Sequence, residues 1–251
     1  MRLTSCVIQP SSLFITTNNF TGIISVKKNI LSALLFMFST ASAFAQYDDA
    51  GMWNTFNIEK KLKNNFSLSF TEEFRLKENF SQINLFYSQA GVGYRPYNFL
   101  KIELSYRFIE KSQIDDTYSF RHRLMLDITF KKKFGDWTLA YRHRLQAEER
   151  NIYSSEKGAV PEWYSRNKMT VKYDLHKKIT PYVSCELRYQ ISDPRNIESD
   201  QTWHRARYAA GFDYELNKKS TFGWYYLIQH EWNVSIPENL YIVGLEYTLT
   251  L

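Results

Sequence analysis

Apolar and polar residues alternate with a period of two along most of the chain. In residues 66–76, Phe and Leu occupy positions 66, 68, 70, 74 and 76, while Ser, Thr, Glu and Arg occupy most of the positions between them. The same alternation returns in 100–108, 120–130, 137–146, 183–191, 222–231 and 241–250. Because successive side chains of a strand point to opposite faces, this pattern predicts an all-β protein.

The connections between these segments alternate in length. Short polar turns are predicted near 60–65, 95–98, 131–136, 176–179 and 217–220, and longer links near 77–82, 110–117, 149–162, 192–200 and 233–239. Short turns on one rim and long loops on the other are typical of outer-membrane β-barrels, which in single bacterial chains normally have an even number of strands. Eleven strand candidates are counted, so either 50–62 is not an ordinary wall strand or one strand has been missed or miscounted. We predict one antiparallel, up-and-down transmembrane β-barrel of 10–12 strands.

A soluble β-protein in the periplasm also fits simple alternation, but three features favour a membrane barrel. The segments reach about ten residues, which is the length that a tilted strand needs to cross a bilayer. Aromatic residues make up 17% of the chain and gather near segment ends, as in interfacial girdles, with Trp53 and Trp137 among them. The apolar parity carries almost no charge, Glu72 being the exception. A lipid-facing Arg or Lys at the midplane costs about 2–4 kcal/mol, so the charged parity is predicted to face the lumen.

The predicted lumen is rich in arginine and glutamate. Its candidate lining residues are Arg75, Arg107, Arg121, Arg123, Arg142, Arg144, Arg166, Arg188, Arg205, Arg207, Glu73, Glu103, Glu186 and Glu231. Two near-identical pentapeptides, FRHRL at 120–124 and YRHRL at 141–145, lie on adjacent predicted strands. Their four arginines are expected to form one basic patch.

Two hypotheses for this interior stay open. In the first, the side chains fill a narrow bore and Arg–Glu pairs brace opposite walls, which the near balance of charge favours. In the second, the arginines line a passage or a binding site for a small anionic solute that bears a phosphate or carboxylate.

Charge and motifs exclude several other functions. The chain of 251 residues has a formal net charge of +6, and removing the three basic residues of 1–45 leaves +3, which is too small to predict nucleic-acid binding. No Walker loop, GxSxG, HExxH or dinucleotide fingerprint is present, and no cofactor or metal is predicted. The acids in 113–117 and 192–200 are expected to be solvated, and 149–162 is long enough to fold over the barrel mouth.

The first 45 residues read as a leader. Lys27 and Lys28 precede the apolar run ILSALLFMF and the small-residue pattern Ala43-Phe44-Ala45, which together indicate a signal peptide. We predict cleavage after Ala45, a functional leader at about 26–45 that starts at Val26 from an alternative codon, and a single outer-membrane barrel domain at 46–251. The expected partners are outer-membrane lipids and a small anionic solute.

A lipid-modifying outer-membrane enzyme is the alternative from another class. His122 and His143 fall on the outward parity of adjacent strands and are expected to be diagonal neighbours about 7–8 Å apart. His204 and His230 are expected on the same outward face. A nucleophile needs a Ser within hydrogen-bond reach of a His, and no Ser stands beside these residues, so no catalytic residue is predicted.

Several longer segments resemble a known family. They are MWNTFNIEKKL, EEFR, GVGYRPYNFLKIELSYRF, the paired RHRL sequences and the closing NLYIVGLEYTLTL. Together they make residues 46–251 similar to the bacterial family of domain of unknown function 2490. The resemblance implies an outer-membrane β-barrel without assigned activity, and it carries over no site residue.

Overall fold

The computed structural model describes residues 47–113, 117–150, 160–175, 178–193, 201–234 and 237–251. Within them lie eleven strands: β1 Tyr47–Lys61, β2 Phe66–Lys77, β3 Gln82–Tyr97, β4 Leu100–Ser112, β5 Tyr118–Phe134, β6 Trp137–Arg150, β7 Glu162–Tyr173, β8 Ile179–Ser192, β9 Thr202–Asn217, β10 Ser220–Glu231 and β11 Glu238–Thr250. The leader with its cleavage site lies outside the described residues, as do most of 149–162, 192–200 and the acids of 113–117.

The strands form one closed barrel in which sequence neighbours pair antiparallel and β1 pairs with β11. The predicted all-β barrel of 10–12 strands is therefore confirmed. The expectation of a wholly antiparallel barrel is wrong at one seam, because β1 and β11 are parallel. In an up-and-down barrel the first and last strands run in the same direction when the strand number is odd. Segment 50–62 is thus a wall strand, and the odd count is accommodated by this parallel seam.

The connections differ in length between the two rims. The turns after β1, β3, β5, β7 and β9 form the short-turn rim, and the links after β2, β4, β6, β8 and β10 form the long-link rim. In the first short turn, Asn64 and Asn65 have φ of 58° and 64°, which a two-residue hairpin of primed type requires. At the long-link rim, the Asp49 carboxylate accepts the backbone N–H groups of Glu78 and Asn79, both at 3.0 Å.

The two faces of the wall differ in chemistry. Large apolar side chains such as Val92, Leu104, Leu124 and Val183 stand half exposed on the outside. Buried charged and aromatic side chains fill the inside. Trp53 was predicted in an outer girdle, but it is buried and lines the interior because it shares the parity of Thr55 and Asn57 on β1. Among the described residues, none belongs to a helix that is long and apolar enough to span a membrane.

Candidate functional site

The interior of the barrel holds a cavity of about 730 Å³. Thirteen of the fourteen residues singled out in the sequence line it, namely the ten arginines with Glu73, Glu186 and Glu231. Glu103 lies beyond the lining, where it accepts a hydrogen bond from Ser69 Oγ at 3.0 Å and pairs with Lys101 Nζ at 2.8 Å. The barrel therefore gathers these thirteen side chains from eight of its strands around one space.

The cavity lining has an excess of positive charge. Among the described residues, fourteen Lys or Arg and eight Asp or Glu side chains line it, an excess of six positive charges in the lining itself. Two buried carboxylates lie just behind this lining, Asp127 bonded to Arg144 and Glu162 paired with Arg150. Arg188 and Lys168 have no carboxylate partner in the part of the chain that the structure describes. The near balance expected from composition thus does not hold locally.

Four arginines form one continuous row across the wall. Arg144, Arg166, Arg188 and Arg205 lie directly opposite one another on β6, β7, β8 and β9. Asp127 on β5 and Glu231 on β10 flank the two ends of this arginine row. Directly opposed side chains have Cβ atoms about 4.5–5.5 Å apart, and like charges in such positions destabilise the sheet. The row therefore needs negative charge beside it.

Carboxylates relieve part of this repulsion. Asp127 accepts two hydrogen bonds from Arg144, both at 2.6 Å. The Glu186 carboxylate accepts a hydrogen bond from Arg142 Nη2 at 2.6 Å, pairs with Arg166, and lies 3.6 Å from Arg207 Nη1. One carboxylate thus serves three guanidinium groups, so the acids do not match the arginines one to one.

The arginines of the two RHRL sequences do not form the single patch predicted. Arg123 lies opposite Glu148, whereas Arg144 lies opposite Asp127. Positions 123 and 127 are four residues apart on β5, about 13 Å along a strand. The hairpin turn sets a register in which the two copies are offset, so they belong to two separate clusters. In one cluster, Glu148 accepts hydrogen bonds from Arg121 at 3.1 Å and from Arg123 at 2.9 Å.

An apolar wall faces part of the cavity. It consists of Trp53, Tyr225, Leu227 and Ile242, with Tyr182, Ala209 and Leu240 packed against them. Tyr225 lies opposite Gly211 on β9 and Gly244 on β11, and Trp53 lies beside Gly244. The glycines leave room for the rings. Sequence reasoning missed this wall, although Tyr225 and Leu227 share the parity of Gln229 and Glu231.

Ion pairs and polar contacts lie between the cavity and the short-turn rim. Lys101 of β4 reaches Glu59 of β1 at 3.2 Å, which spans β2 and β3. Lys172 of β7 reaches Asp213 of β9 at 2.5 Å in the same way. Because these contacts join strands that are not neighbours, they cross part of the bore and narrow it at this end.

The histidines do not form the arrangement expected of them. His122 lies opposite Glu149 and His143 lies opposite Ile128, so the two are six positions apart rather than diagonal neighbours. Their hydrogen-bond partners are the Tyr106 hydroxyl at 2.6 Å and the Asn167 amide oxygen at 3.0 Å.

His204 was predicted to point outward, but it is buried and its ring lies 5.9 Å from that of Tyr164, a residue of the cavity lining. The reason is a shift in register: Arg188 pairs with Arg205, whereas Tyr189 pairs with Trp203. One extra residue on β9 breaks the strict alternation on which the prediction depended.

No group of three or more His, Cys, Asp or Glu side chains is placed to hold a metal ion in the described residues. Cys185 is a free thiol. The chemistry that this lumen offers is therefore that of guanidinium, ammonium and carboxylate groups beside aromatic rings.

Comparison with known proteins identifies a family. The family model described as "Protein of unknown function (DUF2490)" matches residues 50–239, which confirms the resemblance noted in the sequence. No curated protein matches the chain.

Solved structures of similar fold include two porins and one further protein. The NanC porin is 12% identical over 72% of this chain and 85% of its own, with a TM-score of 0.46. The KdgM porin is 14% identical over 70% and 81%, with a TM-score of 0.41. LpxR from Salmonella typhimurium is 9% identical over 76% and 84%, with a TM-score of 0.48. At these identities the likeness concerns the fold alone.

Proposed function

The chain belongs to the DUF2490 family, whose function is unknown, and we propose that it is an integral outer-membrane barrel that passes small anionic solutes through its lumen. The observation that carries this proposal is the excess of six positive charges around the interior cavity. A pore lined by cationic side chains lowers the energy of an entering anion and raises that of a cation. We assign no reaction to the protein.

The outer face supports the location in a membrane. Side chains such as Val92, Leu104 and Val183 have 50%, 52% and 56% of their surface exposed, and each stands on the face opposite the arginines. Strands of 12–17 residues are long enough to cross a hydrocarbon core while tilted. Soluble proteins rarely leave a continuous apolar surface of this kind in water. The leader expected at 26–45 supplies the route of export.

The dimensions of the lumen limit the solute. A cavity of about 730 Å³ corresponds to pockets that hold small organic molecules rather than polymers. The lining reaches Asp49, Lys111 and Arg150 near the long-link rim, so a solute would enter there. At the other end it must pass the Lys101–Glu59 pair, which reaches across part of the bore.

Conductance in planar bilayers tests the proposal. With a salt gradient across the membrane, the reversal potential should show a preference for chloride over potassium. Lys168→Gln removes one unpaired lumenal charge and should reduce this preference. Lys218→Gln, in the exposed turn between β9 and β10, removes the same charge away from the bore and should leave it unchanged. Silence at all voltages, or a preference for cations, would overturn the proposal.

A further inference from the structure

The pair of strands β8 and β9 contains an irregularity beside the arginine row. Arg188 lies directly opposite Arg205, and the next pair is Tyr189 with Trp203, so His204 is the extra residue of a β-bulge. Bulges re-aim side chains and occur often beside functional sites. Here the bulge turns His204 inward, where it is 2% exposed and packs against Tyr164.

The flat face of the Arg188 guanidinium group stacks on an aromatic ring. Its Cζ atom lies 4.7 Å from the centre of the Tyr164 ring, and Tyr164 itself donates a hydrogen bond to Glu162. Stacking uses the flat face of a guanidinium and leaves the N–H donors at its edge available. In the described part of the chain, no carboxylate takes up those donors.

Neighbouring donors share this condition. Arg205 pairs with Glu231 through Nη2, while its Nε has no hydrogen-bond partner among the residues that the structure describes. The same is true of Arg188 Nε, and both Nε atoms are buried. Buried donors without an acceptor are rare in folded proteins and point to a bound group that supplies one.

We propose that Arg188 and Arg205, supported by Tyr164 and His204, bind the oxyanion group of a small solute, either a carboxylate or a phosphate. Two guanidinium groups on directly opposite residues repel each other, and an oxyanion between them removes that repulsion. Its oxygens match the planar N–H fork of arginine, which a spherical ion such as chloride does not. The site rests on the proposed function in one respect, that the solute reaches it through the lumen.

Calorimetric titration of the full chain, folded in detergent, tests the site. The probes are inorganic phosphate and acetate, each added against a constant chloride background. Saturable binding of one or both is expected, and the stronger of the two identifies the oxyanion. Arg188→Gln should weaken it by about tenfold or more, because it removes charge-assisted hydrogen bonds. Arg188→Lys keeps the charge without the fork and should weaken binding by an intermediate factor.

Arg123→Gln is the matched control. Arg123 also lines the cavity, but its guanidinium is already held by Glu148, so its loss should weaken binding by less than about threefold, as a distant charge does. Equal weakening by Arg188→Gln and Arg123→Gln would overturn the site, and so would the lack of saturable binding of both probes. Folding of each variant is verified by heat-modifiable mobility on gels. If Arg188→Gln does not fold, the comparison of Arg188→Lys with Arg123→Gln tests the site instead.

The two proposals fail in different ways. Anion-selective conductance without saturable binding would leave the passage intact and overturn the site. Binding to the detergent-folded protein without conductance would support the site and overturn the passage.

Discussion

The phenol ring of Tyr225 covers Gly244 of the neighbouring strand, and a Cβ atom added at Gly244 would meet three carbons of that ring. Tyr225 also lies opposite Gly211 on its other side. A large side chain that points into a narrow barrel needs small neighbours, because the space inside the barrel is limited. The glycines at 211 and 244 therefore fix the position of the apolar wall inside the lumen.

Gly244→Ala should lower the free energy of unfolding by about 1–3 kcal/mol, since the ring must move out of a well-packed position. Urea unfolding, monitored by heat-modifiable mobility, measures this difference. Gly223→Ala is the control, because a Cβ there meets no atom closer than the Glu246 Cβ at 3.3 Å and the Asp213 carboxylate at 3.5 Å. Equal losses for the two variants would contradict the packing described for Tyr225.

The parallel seam predicts which strands can be cross-linked. Asn54 of β1 lies beside Leu245 of β11 on one side and Phe74 of β2 on the other. In a background without Cys185, the pair Asn54→Cys and Leu245→Cys should form a disulfide on oxidation, because its Cα atoms lie within the usual bonding range. Mobility on non-reducing gels reports the bond.

The control pair for the seam is Phe74→Cys with Leu245→Cys. These residues would be neighbours in a ten-stranded barrel from which β1 had left the wall, but here β1 separates them. They should remain reduced under the same oxidation. A disulfide in this pair, with none in the first, would show that β1 does not close the barrel.

The arginine row predicts strong coupling between Arg144 and Asp127, whose side chains are 8% and 11% exposed. Asp127→Asn should cost about 3–5 kcal/mol of stability because it leaves a buried guanidinium without its charge partner. The double variant Asp127→Asn with Arg144→Gln should cost less than the sum of the two single variants. Unfolding in urea gives all three values.

The exposed Lys133–Asp174 pair at the short-turn rim is the control for this comparison of single and double variants. Its side chains are 59% and 39% exposed, so Lys133→Gln should change stability by less than about 1 kcal/mol. Additive effects at Arg144 and Asp127 would contradict the buried pair.

Much of the fold could be predicted from the sequence because alternation survives wherever strands are regular. The strand segments, the alternation of short and long connections and the inward parity of residues such as Arg121 and Glu186 all follow from period two. Alternation does not encode register, so the offset between the two RHRL sequences could not be read. The parallel seam was missed for a different reason: eleven strand candidates were counted, but an even number was expected and 50–62 was doubted as a wall strand.

Two features of the site lay beyond parity for different reasons. His204 changes face at a β-bulge. The extra residue cannot be recognised in the sequence WHRA at 203–206, because nothing in it shows where the alternation breaks. The apolar wall was missed because Trp53 was assigned to an outer girdle by residue type rather than by parity, and Tyr225 was not considered. A search for aromatic residues on the charged parity, beside glycine on adjacent strands, would have found it.

Glu72 and Glu73 are adjacent on β2 but should respond to substitution with opposite signs. Glu72 points outward among Phe56, Phe74 and Phe86, and Ser88 Oγ donates to its two carboxylate oxygens at 2.8 and 2.9 Å. Glu73 points inward and accepts Thr55 Oγ1 and the Tyr87 hydroxyl at 2.9 and 2.8 Å. Glu72→Leu should therefore raise the free energy of unfolding by about 1–2 kcal/mol in lipid. Glu73→Leu should lower it by about 3–5 kcal/mol, since Arg75 loses its carboxylate. Unfolding in lipid vesicles measures both, and a loss of stability in Glu72→Leu would mean that this face does not meet hydrocarbon.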